Sequence, residues 1–580
     1  MSFTKKFTDF TRKHIAEIIS GLISGMIFLW LYSPKVLDPS NVDFLLVGGD
    51  LSQHYLGWEL YRNGAFRWIF GLTDMAAYPY STSVIFTDSI PICAVIFKHL
   101  FFFVKRPFQY FGLWGLLCFV LQGFLAARLV KRRLILEGYW LDAASVVLSL
   151  LFVFCPFFIR RMFWHCALAG QFVILIAIDL FDNTLKYSRA RMTIYWIGMG
   201  LLCASIHLYF LAMCGMILAG SCLYLFLDRK NNKKSGGWQL VLDIFCPLAG
   251  FIFFAWYMIF ALGGFSSRMD GGAPGLGYYS FNLNGLVNAD DGYSRILPQL
   301  SYCEDGQYEG NAYLGFGVLL FICAVLVLWI CKSIRSRAKD AAKGSAVTAD
   351  KNYRISAFVV FLIVVIVSAS NKITIGSHVL CEIPLPSFIE KLYSPFRSSG
   401  RLIWPACYML MLSMISGLSA VISALSYKKK NYAALALSAV FLLLQIYDLS
   451  GKLESIHSNF SEEKVYTNPV LKESSLLTDM LEGVYGDNDF KHLVFMNKGG
   501  LSQEDLYAFT DIAINYGLSV NDFYFARNFV NSAKEIAVDY ALDRRSDCIF
   551  IYQLDEAEDF DFLPLTKYVS GDYVYAIASP

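Results

Sequence analysis

The sequence predicts a polytopic α-helical membrane protein that carries a small α/β domain at its C-terminal end. Of its 580 residues, 56% are hydrophobic and 17% are charged, whereas soluble domains carry about 25% charged residues. The mean hydropathy is +0.48, and the apolar residues fall in blocks close to the ~20 residues with which a helix crosses a bilayer. Charge divides the chain, because residues 1–450 hold 39 basic and 25 acidic residues and residues 451–580 hold 10 and 22. We therefore expect a membrane domain over 1–450 and an acidic soluble domain over 451–580.

Twelve apolar blocks follow one another along the membrane domain. They lie near residues 14–32, 84–104, 110–130, 142–159, 165–182, 193–209, 210–227, 239–262, 311–331, 355–370, 401–425 and 432–449. Basic loops face the cytoplasm in membrane proteins, and this rule is satisfied here only if one block does not cross. Block 84–104 is the weakest candidate because Asp88, Pro91, Lys98 and His99 are costly at bilayer depth. We expect it to lie at the interface, which leaves about eleven spanning helices.

This topology places the long polar segments on the outer side of the membrane. They are residues 33–107, 160–165, 263–310 and 371–400, together with the C-terminal domain. Binding and catalytic residues concentrate in loops that a rigid scaffold holds, so we expect the chemistry on the outer face. No segment has the clustered basic surface with interleaved aromatic residues that nucleic acid requires, and nucleic acid is therefore excluded as a partner.

The first outer loop holds the strongest candidate for a reacting group. Gly48 and Gly49 allow a tight turn just before Asp50, and the helical spacing that follows puts Asp50 near a helix N-terminus, where a plain helix cap is the alternative interpretation. A carboxylate at the membrane surface suits removal of a proton from an acceptor hydroxyl. Aromatic and polar side chains of the same loop are candidate substrate contacts: His54, Tyr55, Trp58, Tyr78 and Asp88.

Further candidates come from the shorter outer segments. Arg161 could hold a lipid phosphate through paired hydrogen bonds, although arginines also anchor helix ends to headgroups. His165 is a candidate acid, base or metal ligand. His207 and Tyr209 follow in the tight connection between two helices, where a satisfied interhelical histidine is the alternative.

The two remaining outer loops add charged and aromatic groups. Residues 263–310 are rich in glycine, as in a mobile substrate lid, and contribute Arg268 and Glu309. Arg397 and Arg401 stand at the entrance of the next helix, where phosphate binding and snorkelling towards the headgroups are alternatives.

The C-terminal domain alternates β-type and helical runs. Strands are predicted at 492–496, 523–526, 548–552 and 573–577, and helices at 503–516 and 531–544. No catalytic group stands out there, so we expect this domain to dock an acceptor or to support the membrane domain.

Four sequence runs resemble a bacterial family of membrane proteins of unknown function, DUF6311. They are GGDLSQHYLGW at 48–58, TDSIP at 87–91, YEGNAYLG at 308–315 and FRSSGR at 396–401. The order of helices, acidic first loop, non-crossing helix and outer C-terminal domain also resembles the GT-C class of membrane glycosyltransferases. That class transfers a sugar from a polyprenyl-phosphate donor to an acceptor outside the membrane.

The GT-C resemblance implies a role for several of these residues. Asp50 matches the first-loop acidic residue that serves as base or metal ligand, and His165 stands where some members have a second acidic, metal-binding residue. The cofactor is therefore left open: a divalent metal such as Mg or Mn is compatible with this pattern, but the sequence does not require one. Arg161, Arg397 and Arg401 are implied to contact the donor phosphate, with a glycan, glycolipid or lipopolysaccharide as acceptor. The implied location is a bacterial inner membrane with the site on the periplasmic side.

Two other functions remain open from the sequence. A flippase for lipid-linked saccharides predicts an internal repeat and polar residues at the bilayer midplane, and a non-catalytic assembly subunit predicts that Asp50 and His165 are dispensable.

Overall fold

The computed structural model describes residues 11–232, 237–266, 275–337, 351–423, 425–485, 489–525 and 533–579. The helices of the membrane portion are α1 (Ile15–Tyr32), α2 (Gly49–Asn63), α3 (Pro91–Leu100), α4 (Phe111–Lys131), α5 (Gly138–Val153), α6 (Pro156–Ile159), α7 (Phe172–Asp182), α8 (Arg189–Ile206), α9 (Tyr209–Asn232), α10 (Gly237–Ala261), α11 (Phe316–Arg337), α12 (Lys351–Ala369), α13 (Ser387–Tyr393), α14 (Trp404–Ile422) and α15 (Tyr427–Ser461). Each of the twelve predicted apolar blocks therefore contains a helix.

Seven helices in the described part of the chain are long and apolar enough to cross a membrane. They are α1, α4, α9, α10, α12, α15 and α14 with the turn before it, Ser399–Ile422. Helices α3, α5 and the first part of α11 are apolar but shorter. Helix α3 has ten residues, about 15 Å at the rise of an α-helix, which is too short to cross and fits the expected interfacial position. That about eleven helices span the membrane stays a prediction.

Two short turns between the helices meet at one end of the bundle. The 3₁₀ turn Asp305–Gly310 packs on the 3₁₀ turn Ser399–Ile403, and a β-carbon at Gly400 would lie 2.5 Å from the Cα of Gly310. Because this distance leaves no room for a side chain, the two glycines let the backbones touch. Their contact brings Glu309 next to Arg401.

Two hairpins accompany the outer loops, and a mixed sheet forms the C-terminal domain. The hairpins pair β1 (Leu72–Thr73) with β2 (Thr82–Ser83) and β3 (Lys372–Ile375) with β4 (His378–Glu382). The sheet has the order β6-β5-β7-β9-β8, with β5, β6 and β7 parallel and the other pairs antiparallel. Its strands are β5 (His492–Phe495), β6 (Ser519–Val520), β7 (Cys548–Gln553), β8 (Leu565–Ser570) and β9 (Tyr573–Ala578). The helices of this part are α16 (Pro469–Glu473), α17 (Leu476–Leu481), α18 (Gln503–Asn515) and α19 (Ala533–Leu542).

One strand prediction in this domain is wrong. Residues 523–525 are not in a strand, and residue 526 lies outside the described residues. The Phe523 amide donates to the carboxylate of Asp522 at 2.7 Å, and its carbonyl accepts from the Lys498 ammonium at 2.6 Å. Since side chains satisfy the backbone groups of Phe523, the segment has no need of a neighbouring strand. Strand β6 forms instead at Ser519–Val520, before the predicted segment begins.

The C-terminal domain rests directly on the first outer loop. The Val520 amide donates to the Met75 carbonyl at 2.8 Å, and the Tyr78 amide donates to the Val520 carbonyl at 3.0 Å. Helix α15 continues past residue 450 to Ser461, so a rigid helix leads from the bundle to this domain. The two parts are joined by backbone contacts as well as by the chain.

Candidate active site

A cavity of about 530 Å³ opens where the loops predicted to lie on the outer side meet the helix ends. Eight of the residues predicted from the sequence line it: Asp50, Asp88, His165, His207, Tyr209, Glu309, Arg397 and Arg401. They come from six segments that are distant in the chain, and the fold brings them to one place.

Helix α2 carries Asp50 in its first turn. Gly48 is the N-cap, with φ 84°, and Gly49 has φ 59°; these left-handed angles are costly for residues that have a β-carbon. Asp50 is therefore the second residue of the helix. The sequence suggested it as a possible helix cap, but Gly48 holds that position. A carboxylate in the first turn interacts favourably with the helix dipole.

Asp50 faces the imidazole of His165. Its Oδ2 lies 3.3 Å from His165 Nε2, and burial raises the pKa of Asp50 above its ordinary value. The Arg401 Nη2 lies 3.0 Å from the same Nε2, and since a guanidinium only donates, this nitrogen accepts and the ring is neutral. Burial, with the nearby Arg401 charge, holds the pKa of His165 well below its usual range. Asp50 thus has no cationic imidazole against it and is a stronger base than an exposed aspartate.

Glu309 joins two arginines beneath the cavity floor. Its Oε2 accepts from Arg161 Nη1 at 2.8 Å and from Arg401 Nε at 2.9 Å, and Arg161 Nη2 also donates to the Glu309 carbonyl at 2.9 Å. Burial acts to raise the pKa of Glu309, but the two guanidinium groups hold it well below its usual range. Two cations against one carboxylate leave an excess positive charge in the floor, which favours an anionic ligand.

Asp88 lies between two imidazoles at the opposite side of the site. Its Oδ2 is 3.2 Å from His54 Nε2, and its Oδ1 is 3.6 Å from His207 Nε2. Burial alone would lower the pKa of His54, but the Asp88 carboxylate, helped by Cys166, raises it to about 10. Burial likewise acts against the Asp88 carboxylate, but the adjacent His54 imidazole holds the pKa of Asp88 below its usual range. Asp88 and His54 therefore form an ion pair in which His54 is buried and Asp88 is half-buried.

Arg397 is the accessible cation of the cavity. Its guanidinium carbon lies 4.7 Å from the centre of the Tyr279 ring, and the side chain is exposed. Among the described residues no carboxylate pairs with it, in contrast to Arg161 and Arg401. Arg397 is thus the arginine whose hydrogen-bond donors can turn to a phosphate.

Five of the predicted site residues in the described ranges do not line the cavity. Tyr55 and Trp58 are fully buried within the core, and the Trp58 Nε1 donates to the Phe108 carbonyl at 3.0 Å. Tyr78 stacks on the His492 ring at 3.5 Å and contacts the C-terminal domain. Arg268 lies outside the described residues. His54 and Arg161 lie behind the cavity wall, where His54 contacts Asp88 and Arg161 contacts Glu309.

The cavity also contains aromatic residues that sequence reasoning missed. Trp164 and Tyr308 are near-parallel with ring centres 6.4 Å apart, and each is adjacent in sequence to a predicted residue, which is a usable signal. Tyr524 and Phe525 come from the C-terminal domain, and nothing in the sequence links them to the outer loops. These rings give the cavity flat apolar surfaces on which a ligand ring could stack.

The residues of the site do not fit a divalent metal. Within the described ranges no group of three histidine, cysteine, aspartate or glutamate side chains is arranged to hold one. The physical reason is that two guanidinium groups already contact the carboxylate of Glu309 and the cationic His54 lies against that of Asp88.

Comparison with known proteins matches a family model and several solved structures, two of which are of one enzyme. The family model described as "Domain of unknown function (DUF6311)" matches residues 21–450, and no curated protein matches the chain. The apo form of the Archaeoglobus fulgidus oligosaccharyltransferase is similar with a TM-score of 0.40 and 12% identity, covering 93% of this chain and 70% of that one. The same enzyme tethered to an acceptor peptide containing the NVT sequon has a TM-score of 0.42 and 11% identity, with 94% and 70% covered.

Proposed function

The chain belongs to the DUF6311 family, and we propose that it is a membrane glycosyltransferase. The donor is a sugar linked to polyprenyl phosphate, and the acceptor is a hydroxyl of an extracytoplasmic glycan, glycolipid or lipopolysaccharide. The observation that carries the proposal is that a carboxylate of raised pKa, Asp50, and an accessible arginine, Arg397, face one cavity at the ends of apolar helices.

The position of the cavity suits a donor with a lipid tail. Tyr209 begins α9, and Arg401 lies in the turn that leads into α14, so the site sits where spanning helices end. A polyprenyl chain can stay among lipids while its phosphate enters the cavity. Trp164 and Tyr308 offer the sugar two rings, in place of Tyr55 and Trp58.

The reaction that fits these groups is a single displacement with inversion. Asp50 takes the proton of the acceptor hydroxyl as its oxygen forms a bond to C1 of the sugar. The bond between C1 and the phosphate oxygen breaks, and its electron pair leaves with the polyprenyl phosphate. Arg397 and the net positive charge of Arg161, Glu309 and Arg401 stabilise that phosphate. Because phosphate is a good leaving group, this electrostatic stabilisation replaces a general acid.

The test compares surface glycans in a bacterial host that lacks the protein. The host receives wild type, Asp50→Asn or the matched control Asp38→Asn, a change at an exposed aspartate of the same loop. Mass spectrometry is expected to find one sugar unit restored by wild type and by Asp38→Asn but not by Asp50→Asn, at equal protein level in the membrane.

Other results would point elsewhere. Full restoration by Asp50→Asn would contradict its role as base and favour a non-catalytic assembly subunit. Intact lipid-linked precursor held on the inner leaflet would indicate a flippase. Orientation is tested in the same cells, because the proposal requires the C-terminal domain and the cavity on the periplasmic side of the inner membrane.

A further inference from the structure

A tyrosine of the C-terminal domain reaches the backbone beside Asp50. The Tyr507 hydroxyl of α18 donates to the Gly49 carbonyl at 3.0 Å, since a carbonyl only accepts. The Gln503 amide donates to the same hydroxyl at 3.1 Å, which fixes the direction of the tyrosine proton. Tyr507 is 3% exposed, so water does not compete for this contact.

From within α2, the turn that Tyr507 holds receives one side-chain hydrogen bond, in which the Gly48 amide donates to Ser52 Oγ at 2.8 Å. β-carbons built on Gly48 and Gly49 would meet no atom within 4 Å. Glycine is also the residue with the greatest backbone freedom. A hydrogen bond from outside the helix therefore has unusual weight in fixing the peptide between Gly49 and Asp50.

A second contact from the same domain acts one turn further along α2. The Gln53 amide donates to the Tyr524 carbonyl at 2.8 Å, and Tyr524 and Phe525 line the cavity. Lys498 holds this segment in place through the Phe523 carbonyl and the Asp522 carboxylate, the latter at 3.0 Å. The C-terminal domain thus supplies a wall of the cavity.

A third contact secures the middle of α2. The Arg106 guanidinium lies 3.3 Å from the buried Glu59 carboxylate and 2.6 Å from that of Asp511 in α18. Because removing one member of a buried charge pair is strongly destabilising, this link fixes α18 against α2. The Tyr507 hydroxyl is thereby kept within hydrogen-bond distance of the Gly49 carbonyl.

We infer that Tyr507 is a positioning residue that sets the direction of Asp50 into the cavity. The inference rests on the proposed function in taking Asp50 as the reacting carboxylate. It assigns to residues 451–580 a part in building the reaction site.

The test measures the reactivity of a thiol placed at position 50. The full chain in lipid nanodiscs carries Asp50→Cys alone, with Tyr507→Phe, or with the control Tyr516→Phe, an exposed tyrosine that caps the same helix and bonds Glu482. A small methanethiosulfonate reagent modifies the thiol, and mass spectrometry follows the tryptic peptide 36–62, which contains no native cysteine.

Tyr507→Phe is expected to speed modification about three- to tenfold, the factor that one hydrogen bond represents, and Tyr516→Phe is expected to leave it unchanged. Equal unfolding temperatures show that the fold is intact. A rate that changes by less than threefold, or that falls, overturns the inference, as does an equal change with Tyr516→Phe.

The glycan assay separates this inference from the proposed function. Tyr507→Phe is expected to lower the turnover rate of sugar transfer about three- to tenfold with unchanged KM for the donor. Transfer equal to wild type would overturn the inference. If wild type transfers no sugar, the proposed function fails, and the thiol rates still decide whether Tyr507 fixes position 50.

Discussion

The two aspartates of the first outer loop line one cavity and have opposite electrostatic surroundings. Asp50 is half-buried beside the neutral His165, and its pKa is raised. Asp88 is half-buried beside the cationic His54, and its pKa is lowered. Burial therefore makes a base of one carboxylate, whereas a buried partner makes a fixed negative charge of the other. The identity of the neighbouring imidazole decides which role each aspartate takes.

The largest expected effect comes from removing the charge of each aspartate in turn. Asp50→Asn is expected to lower the rate of sugar transfer about 100- to 10,000-fold, the usual contribution of a general base, without lowering the unfolding temperature. Asp88→Asn is expected to lower the unfolding temperature, because it leaves His54 without its partner, and to affect transfer less. Initial rates of transfer and thermal unfolding measure both effects. A larger loss of transfer with Asp88→Asn than with Asp50→Asn would indicate that Asp88 is the base.

Arg397 tests whether the available cation of the cavity acts on the donor. Arg397→Ala is expected to weaken donor binding about 10- to 100-fold, since hydrogen bonds to charged groups are the stronger ones. Arg295→Ala is the matched control, because this exposed arginine of another outer segment pairs with Glu454. Donor affinity measured by titration should distinguish them, and equal losses would argue against a phosphate contact at Arg397.

The Asp88 side of the comparison predicts a stability that depends on pH. The raised pKa of His54, about 10, means that its ion pair stabilises the fold fully below the unfolded value of about 6.5. The contribution is lost as the pH rises through about 10. His54→Gln is therefore expected to cost about 1–3 kcal/mol at pH 6 and much less at pH 10.5, as followed by unfolding. A cost independent of pH would mean that His54 is neutral.

The Asp50 side predicts a shift of the acid limb of activity. A protonated carboxyl cannot accept the hydroxyl proton, so transfer falls as the pH drops through the pKa of Asp50. Because burial raises that pKa above its ordinary value of 3.8, the acid limb is expected above pH 3.8. Initial rates between pH 3 and 8 measure it, and a limb at or below 3.8 would contradict the raised pKa.

Much of the helical framework could be predicted from the sequence because it depends on local composition. Runs such as 110–130 and 239–262 need only be apolar and long enough, and helices α4 and α10 begin and end within a few residues of them. The family was predicted from four short runs, and the match over residues 21–450 confirms it.

The site was only partly predictable because partners in space leave little trace in sequence. The sequence identifies Glu309 and Arg401 as charged candidates but does not show that they pair with each other. That pairing is what makes Arg397 the accessible cation of the cavity. Tyr55 and Trp58 were expected in the site from their aromatic character, yet their positions on α2 face the core. Tyr524 reaches the cavity across some 470 residues, a contact that no local pattern encodes.

The contact between Gly310 and Gly400 explains something about the sequence runs in which they occur. YEGN and FRSSGR each set a glycine beside a charged residue, and the glycine takes no part in chemistry. Any side chain at either position would push the two turns apart and separate Arg401 from Glu309. Both positions are therefore expected to stay glycine among relatives that keep the pairing of Arg401 with Glu309. A relative that carries alanine at either one is expected to lose that pairing, even where every charged residue is still present.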